Sequence, residues 1–128
     1  MTARTTVHAP DAPAAIGPYS HAVAHGDLLY CSGSIPLDPG TGTMTTESRG
    51  AETARCLANL EAVCAAAGAE LRRALRVTVY TTDLDRFAEI NDAYAAFFAD
   101  EPPARVAVGV GALPKGAMVE IDAIVPIG

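Results

Sequence analysis

The chain has 128 residues, which at roughly 100–200 residues per domain makes one domain, residues 1–128. Fifteen Asp and Glu against nine Lys and Arg leave a net charge of −6, which argues against a protein that works by neutralising nucleic-acid phosphates. Half of the residues are hydrophobic and 19% are charged, a folded rather than a disordered composition.

The apolar half is dominated by 26 alanines, with no Trp and only seven Phe and Tyr. Buried Ala removes less surface from water than Leu or Ile, so the core is thin and an oligomer interface is expected to supplement it. The longest apolar run, Val106 to Leu113, falls far short of the roughly 18 residues of a membrane helix. The N-terminal segment has no secretory apolar stretch, and the three Cys form no CxxC pair. Both features suit a reducing cytoplasm.

In chain order, residues 4–8 are a short strand candidate, and Ala9 to Pro18, with three prolines, is loop. Tyr19 to His25 and Leu28 to Ile35 are strand-like runs joined by Gly26-Asp27, a hairpin signal. Pro36 to Gly42 is turn-rich. Residues 46–67 are predicted as a helix, with Thr53, Leu57, Leu60, Cys64 and Ala67 along one stripe and Gly68 just past its end. Leu75 to Thr82 alternates as a strand. Asp83 or Asp85 caps a second helix over 84–99, striped by Phe87, Ile90, Tyr94 and Phe97 and stopped by Pro102-Pro103.

Arg105 to Val110 and Met118 to Val125 are the last strands, a probable hairpin. Val106, Val108 and Val110 are expected to face the helices, with Arg105, Ala107 and Gly109 turned the other way. The order (β)ββαβαββ predicts an α+β domain with two helices on one face of a sheet. Its other face, small and apolar in places, is expected to be covered by a partner subunit.

Candidate site residues are few. His21 and His25, four strand residues apart, are separated by about 13 Å and cannot share one metal ion, so they read as hairpin surface histidines. Cys56 and Cys64 are likewise too far apart to pair, and Cys64 belongs to the apolar stripe. Gly109-Val110-Gly111 lacks the third glycine and the following helix of a dinucleotide fingerprint. Arg105, in an otherwise apolar strand, and Glu120, in the next, stand out. They fit an exposed cross-strand pair. They also fit an anion clamp beside a carboxylate base, in which the guanidinium fork holds a carboxylate and burial raises the pKa of Glu120.

The motifs Ile16-Gly17-Pro18-Tyr19-Ser20, Gly26 to Gly33, Ile35-Pro36, Asp38 to Gly42, Asn59-Leu60, Thr81-Thr82-Asp83-Leu84, Asn91 with Tyr94, Pro103-Ala104-Arg105, Leu113-Pro114-Lys115 and Glu120-Ile121 resemble the Rid family. These are YjgF-like imine/enamine deaminases, formerly termed endoribonuclease L-PSP. They run in order across residues 16 to 121. The resemblance implies a chorismate-mutase-like fold, a ββαβαββ mixed sheet whose free face builds a homotrimer, and active sites between subunits. It implies hydrolysis of reactive 2-imino acids, such as 2-iminopropanoate and 2-iminobutanoate, to 2-keto acids and ammonia, with no metal, cofactor, nucleic acid or membrane.

Carried over by position, Arg105 holds the substrate carboxylate and Glu120 relays protons to and from water. Tyr19 orients the imine or the water. Ser32, Gly33, Asn91 and the backbone near Ala107 contact the substrate. The chain departs from the family pattern at Ala107, where the studied deaminases carry Cys, at Ser34 in place of Gln, and at Gly109 in place of Glu. These departures bear on which substrate is preferred. A non-catalytic ligand-binding or chaperone-like trimer and an RNA-cleaving translation inhibitor are the alternatives. The acidic charge weighs against the second.

Overall fold

The computed structural model describes residues 3–128 and places six strands and two helices in the order βββαβαββ. The strands are β1 (Thr5–Val7), β2 (Ala22–His25), β3 (Leu28–Ser34), β4 (Arg76–Thr81), β5 (Ala104–Gly109) and β6 (Val119–Pro126). The helices are α1 (Arg49–Ala66) and α2 (Phe87–Phe97). They pack on one face of a single sheet ordered β1-β2-β3-β6-β4-β5. Every neighbouring pair is antiparallel except β4 with β5, which is parallel.

Local chemistry sets the element ends. The Ser48 side chain accepts from the Ala51 N–H at 3.0 Å and starts α1, two turns' worth of polar sequence having stayed outside the helix. At the other end Gly68 takes φ +73°, its N–H reaching Ala65 O and the Ala69 N–H reaching Cys64 O, a Schellman closure. Gly26, at φ +63°, opens the two-residue turn that pairs His25 with Leu28.

The α1 stripe is buried as expected at Thr53, Leu57, Leu60 and Cys64, and it lies on Val119, Ile121, Ala123 and Val125 of β6. Each such buried Leu or Ile contributes roughly 1.5–3 kcal/mol over its exposed state. Glu52 is 1% exposed and acceptable there because it is fully engaged. Its carboxylate pairs with Arg49 at 2.9 Å and accepts from the Met118 N–H at 3.0 Å, while Arg49 also reaches Asp83 at 3.3 Å. This buried cluster fixes the start of β6 two residues before Glu120.

Four expectations need correction. Tyr19 to His21 are not strand: the Tyr19 N–H closes onto Gly17 O at 2.9 Å, and β2 begins only at Ala22. Asp83 does not cap α2, because its carboxylate is drawn to Arg49; residues 84–86 form a 3-10 turn instead. The last two strands are not a hairpin. A helix crossover from β4 to β5 makes that pair parallel, and β6 enters between β3 and β4. Finally, the faces of β5 are reversed. Parallel register sets Arg105 beside Val77, Ala107 beside Val79 and Gly109 beside Thr81, all on the helix face. Val106 and Val108 lie on the uncovered face, 39% and 37% exposed.

Candidate functional site

The expected site residues fall into two groups. The first gathers where β3 leaves its ladder. Register between β3 and β6 slips between Cys31 and Ser34, so Ser32 and Gly33 bulge out of the pairing. The Ser32 N–H donates to His21 O at 2.9 Å and its hydroxyl to Ser20 O at 2.7 Å, which ties the bulge to the segment carrying Tyr19. Gly33 lies directly under the Glu120 side chain. A Cβ there would stand 2.9 Å from Glu120 Cδ, so only glycine lets the carboxylate lie down on the strand.

The result is a cleft of about 280 Å³, lined by Ile16, Tyr19, Ser32, Gly33, Ile35, Pro114 and Glu120. Tyr19 is 42% exposed at its mouth, its hydroxyl accepting from the Ile16 N–H at 3.4 Å. Glu120 is half-buried. Burial first, and the negative charge of Asp122 second, push its pKa above the ordinary carboxylate range. Asp122 itself accepts from the Tyr80 hydroxyl at 2.9 Å.

The second group lies at the outer edge of the sheet. The guanidinium of Arg105 donates to Asn91 Oδ1 at 2.8 Å. It also sits 4.8 Å from the Tyr94 ring centroid and 5.3 Å from that of Phe87. Residues 87, 91 and 94 are spaced four and three apart and share one face of α2, so a single helix face forms a cradle for the cation. Ala107 follows two residues along β5, on the same face. As the outermost strand, β5 leaves backbone groups unpaired along its free edge.

The two groups do not meet within one chain. Glu120 is in register with Tyr80, on the face away from the helices, whereas Arg105 is in register with Val77, on the helix face. The two Cα positions lie two strands and three residues apart, about 14 Å at ordinary sheet spacings. The cross-strand Arg–Glu pair is therefore ruled out. Tyr19, Ser32, Gly33 and Glu120 come together; Arg105, Asn91 and Ala107 come together elsewhere.

Sequence reasoning missed the aromatic cradle, since Phe87 and Tyr94 look like ordinary core positions on an amphipathic stripe. It also gave no role to Ile16 and Pro114. His21 is not an idle surface residue: its ring accepts from the Ala9 N–H at 2.8 Å and faces Pro13 O at 2.8 Å, pinning the N-terminal loop. Cys31, Cys56 and Cys64 are all buried free thiols. Among the described residues no three His, Cys, Asp or Glu side chains converge to hold a metal ion, and no helix is long and apolar enough to cross a membrane.

Residues 9–127 match the family model described as Endoribonuclease L-PSP. The chain belongs to this family, the Rid family. A RutC family protein of Sinorhizobium fredii is 47% identical over 117 residues, covering 91% of this chain and 93% of that protein. The 2-iminobutanoate/2-iminopropanoate deaminase of Bos taurus is 39% identical over 121 residues, covering 94% and 88%. Among solved structures, the YjgF gene product of E. coli superposes with a TM-score of 0.91 at 38% identity, over 95% of this chain and 98% of that one. RidA from the Antarctic bacterium Psychrobacter also gives 0.91, at 41% identity and with 96% and 99% covered. The Rid fold, two helices on a six-stranded mixed sheet, is thus shared across the whole domain.

Proposed function

We propose that this Rid protein hydrolyses small 2-imino acids to 2-oxo acids and ammonia, at sites that two copies of the chain build together. One observation carries the reading: the cation suited to a carboxylate and the carboxylate suited to proton transfer lie on opposite faces of one sheet. Neither half is a complete site. The edge strand bearing Arg105 is exposed along its whole length, and the uncovered face beside it presents Val106, Val108 and Tyr30 to solvent. A second copy that covers this apolar face brings Arg105 of one chain to the Glu120 cleft of the next. The family resemblance supplies the number, a homotrimer.

In this arrangement Arg105, held flat by Asn91 and the two rings, binds the substrate carboxylate through its free N–H edge. A protonated imine is already electrophilic, so placement and one proton relay supply most of the acceleration. Glu120 takes a proton from water as the new C–O bond forms at the imine carbon, and returns it to nitrogen as the C–N bond breaks. The water oxygen stays on the 2-oxo acid and the nitrogen leaves as ammonia. Tyr19 and the Ser32-Gly33 bulge orient the imine and the water. No cofactor enters this scheme. Its substrates are the imines released by pyridoxal-phosphate dehydratases acting on Ser or Thr, and the role is limitation of metabolite damage in the cytoplasm.

RNA cleavage, the activity in the family description, finds less support. The chain is acidic, and the cleft is lined by a carboxylate with no Lys or Arg.

The test generates imines with an amino-acid oxidase, traps them with semicarbazide, and asks whether the protein suppresses the trapping. Suppression is expected. Arg105→Ala and Glu120→Gln are each expected to abolish it, and their co-assembled mixture to recover about a quarter of parental activity, because one interface in four then joins an intact Arg to an intact Glu. No suppression by the parent refutes the reaction; no recovery on mixing refutes the shared site.

A further inference from the structure

We propose that an inner cavity opening off the cleft receives the side chain of the substrate, and that Ser34 sets which side chains fit. The inference rests on the deaminase reading above and adds the part of the substrate that reading leaves open.

The cavity has a volume of about 40 Å³ and shares Tyr19, Ser32, Gly33 and Ile35 with the cleft, so the two are continuous around the β3 bulge. Its far walls are the Ala12 to Ala14 segment on one side and Leu60 and Val63 of α1 on the other. Ser34 contributes the strand wall, in register with the buried Ile121 and thus on the helix side of the sheet.

The polar groups around it are nearly all committed elsewhere. His21 uses one ring nitrogen on Ala9 and the other on Pro13. The Ser32 hydroxyl is spent on Ser20 O. Asn59 donates to Ile35 O at 3.3 Å and Leu37 O at 2.9 Å, and its oxygen accepts from Arg55 Nε at 3.1 Å. Among the described residues the Ser34 hydroxyl alone of these makes no hydrogen bond. What remains is an apolar chamber with one free hydroxyl.

Size and direction then select the occupant. At about 10–15 Å³ per water-sized group, the chamber takes about three non-hydrogen atoms. The imine carbon is trigonal, so its three substituents diverge in one plane. With the carboxylate directed to Arg105 of the neighbouring copy and the nitrogen to Glu120, the third substituent points inward past Gly33. The chamber therefore accepts a short alkyl or hydroxyalkyl side chain and rejects a branched four-carbon one.

The experiment measures binding of three product acids, pyruvate, 2-oxobutanoate and 4-methyl-2-oxopentanoate, to the assembled protein by calorimetry or ligand-observed NMR. The parent is expected to bind 2-oxobutanoate at least as well as pyruvate, and the branched acid about tenfold more weakly. Ser34→Leu fills the chamber and is expected to weaken 2-oxobutanoate about tenfold while pyruvate changes less than threefold. Ala14→Leu closes the chamber from an exposed loop and is expected to shift the ratio the same way, which decides the matter should Ser34→Leu fail to fold. Three acids bound alike by the parent, or a ratio unmoved by the folded variants, overturns the side-chain chamber alone. No binding of any of the three by the parent overturns the carboxylate site, and the chamber with it.

Discussion

The cleft around Glu120 and the clamp around Arg105 are built by different means. The cleft is a property of backbone: a strand bulge, a glycine without a Cβ and a turn at Gly17 to Tyr19 leave space for a carboxylate to lie against β3. Burial and a neighbouring Asp then shift its protonation. The clamp is a property of side chains: one face of α2 offers two rings and an amide to a guanidinium on an exposed edge strand. The cleft is pre-formed and partly dry, which suits a group that must move a proton. The clamp is solvent-facing but rigid, which suits a group that must reach another surface in a fixed orientation. The separation explains why one chain carries an unfinished site.

The sharpest way to break this comparison is to remove the working group of each half. Glu120→Gln keeps the shape of the cleft but no proton acceptor, and is expected to lower kcat roughly 10²–10⁴-fold with 2-oxo acid binding nearly intact. Loss of binding with turnover preserved would invert the assignment. Arg105→Ala is expected to lower kcat/KM at least about a hundredfold through lost contact and lost placement, with an unchanged melting temperature, because the side chain supports no core. Arg105→Lys restores little, since an ammonium cannot present the fork. Parent-like activity of Arg105→Ala would remove the clamp from the site.

Smaller changes sharpen each half. Gly33→Ala forces the Glu120 carboxylate off the strand, and kinetics are expected to show a loss of about tenfold to a hundredfold in a folded protein. An unaffected variant would mean that the carboxylate works from another position. In the clamp, Tyr94→Leu is expected to weaken oxo-acid binding about two- to fivefold, the size of a cation–π contact. Tyr94→Phe keeps the ring and discards a buried hydroxyl that has no partner among the described residues, so binding stays and the melting temperature holds or rises. Equal losses in both variants would show that the ring itself is not what holds Arg105.

The smallest effect is a pH shift. Glu120 accepts a proton only when ionised, so kcat/KM is expected to rise with pH through its elevated pKa. Asp122→Asn removes a nearby negative charge, lowers that pKa, and moves the acid limb to lower pH. A pH–rate profile with the limb unmoved, or moved upward, contradicts the electrostatic account of the cleft.

The sequence by itself determined the elements and the residue types. Spacing placed the α1 stripe, Gly68 ended that helix through its positive φ, and the alternation of Val119, Ile121 and Val125 put Glu120 on the opposite face of β6. The motifs singled out every residue that the two half-sites contain except Phe87, whose place on an apolar stripe gave it a core role, and left Tyr94 without one. Pairing was decided only in three dimensions. Alternation in β5 is real, but a period of two fixes only that neighbours point opposite ways, not which side the helices cover. That choice came from the α2 crossover, which makes β5 parallel to β4, sends β6 to the middle of the sheet and turns Arg105 toward the helix. The distance between Arg105 and Glu120, and with it the requirement for a second copy, follows from long-range strand order. Strand order is set by how helices and strands cover one another's apolar surfaces, a property of the whole packed chain that no local window of residues contains.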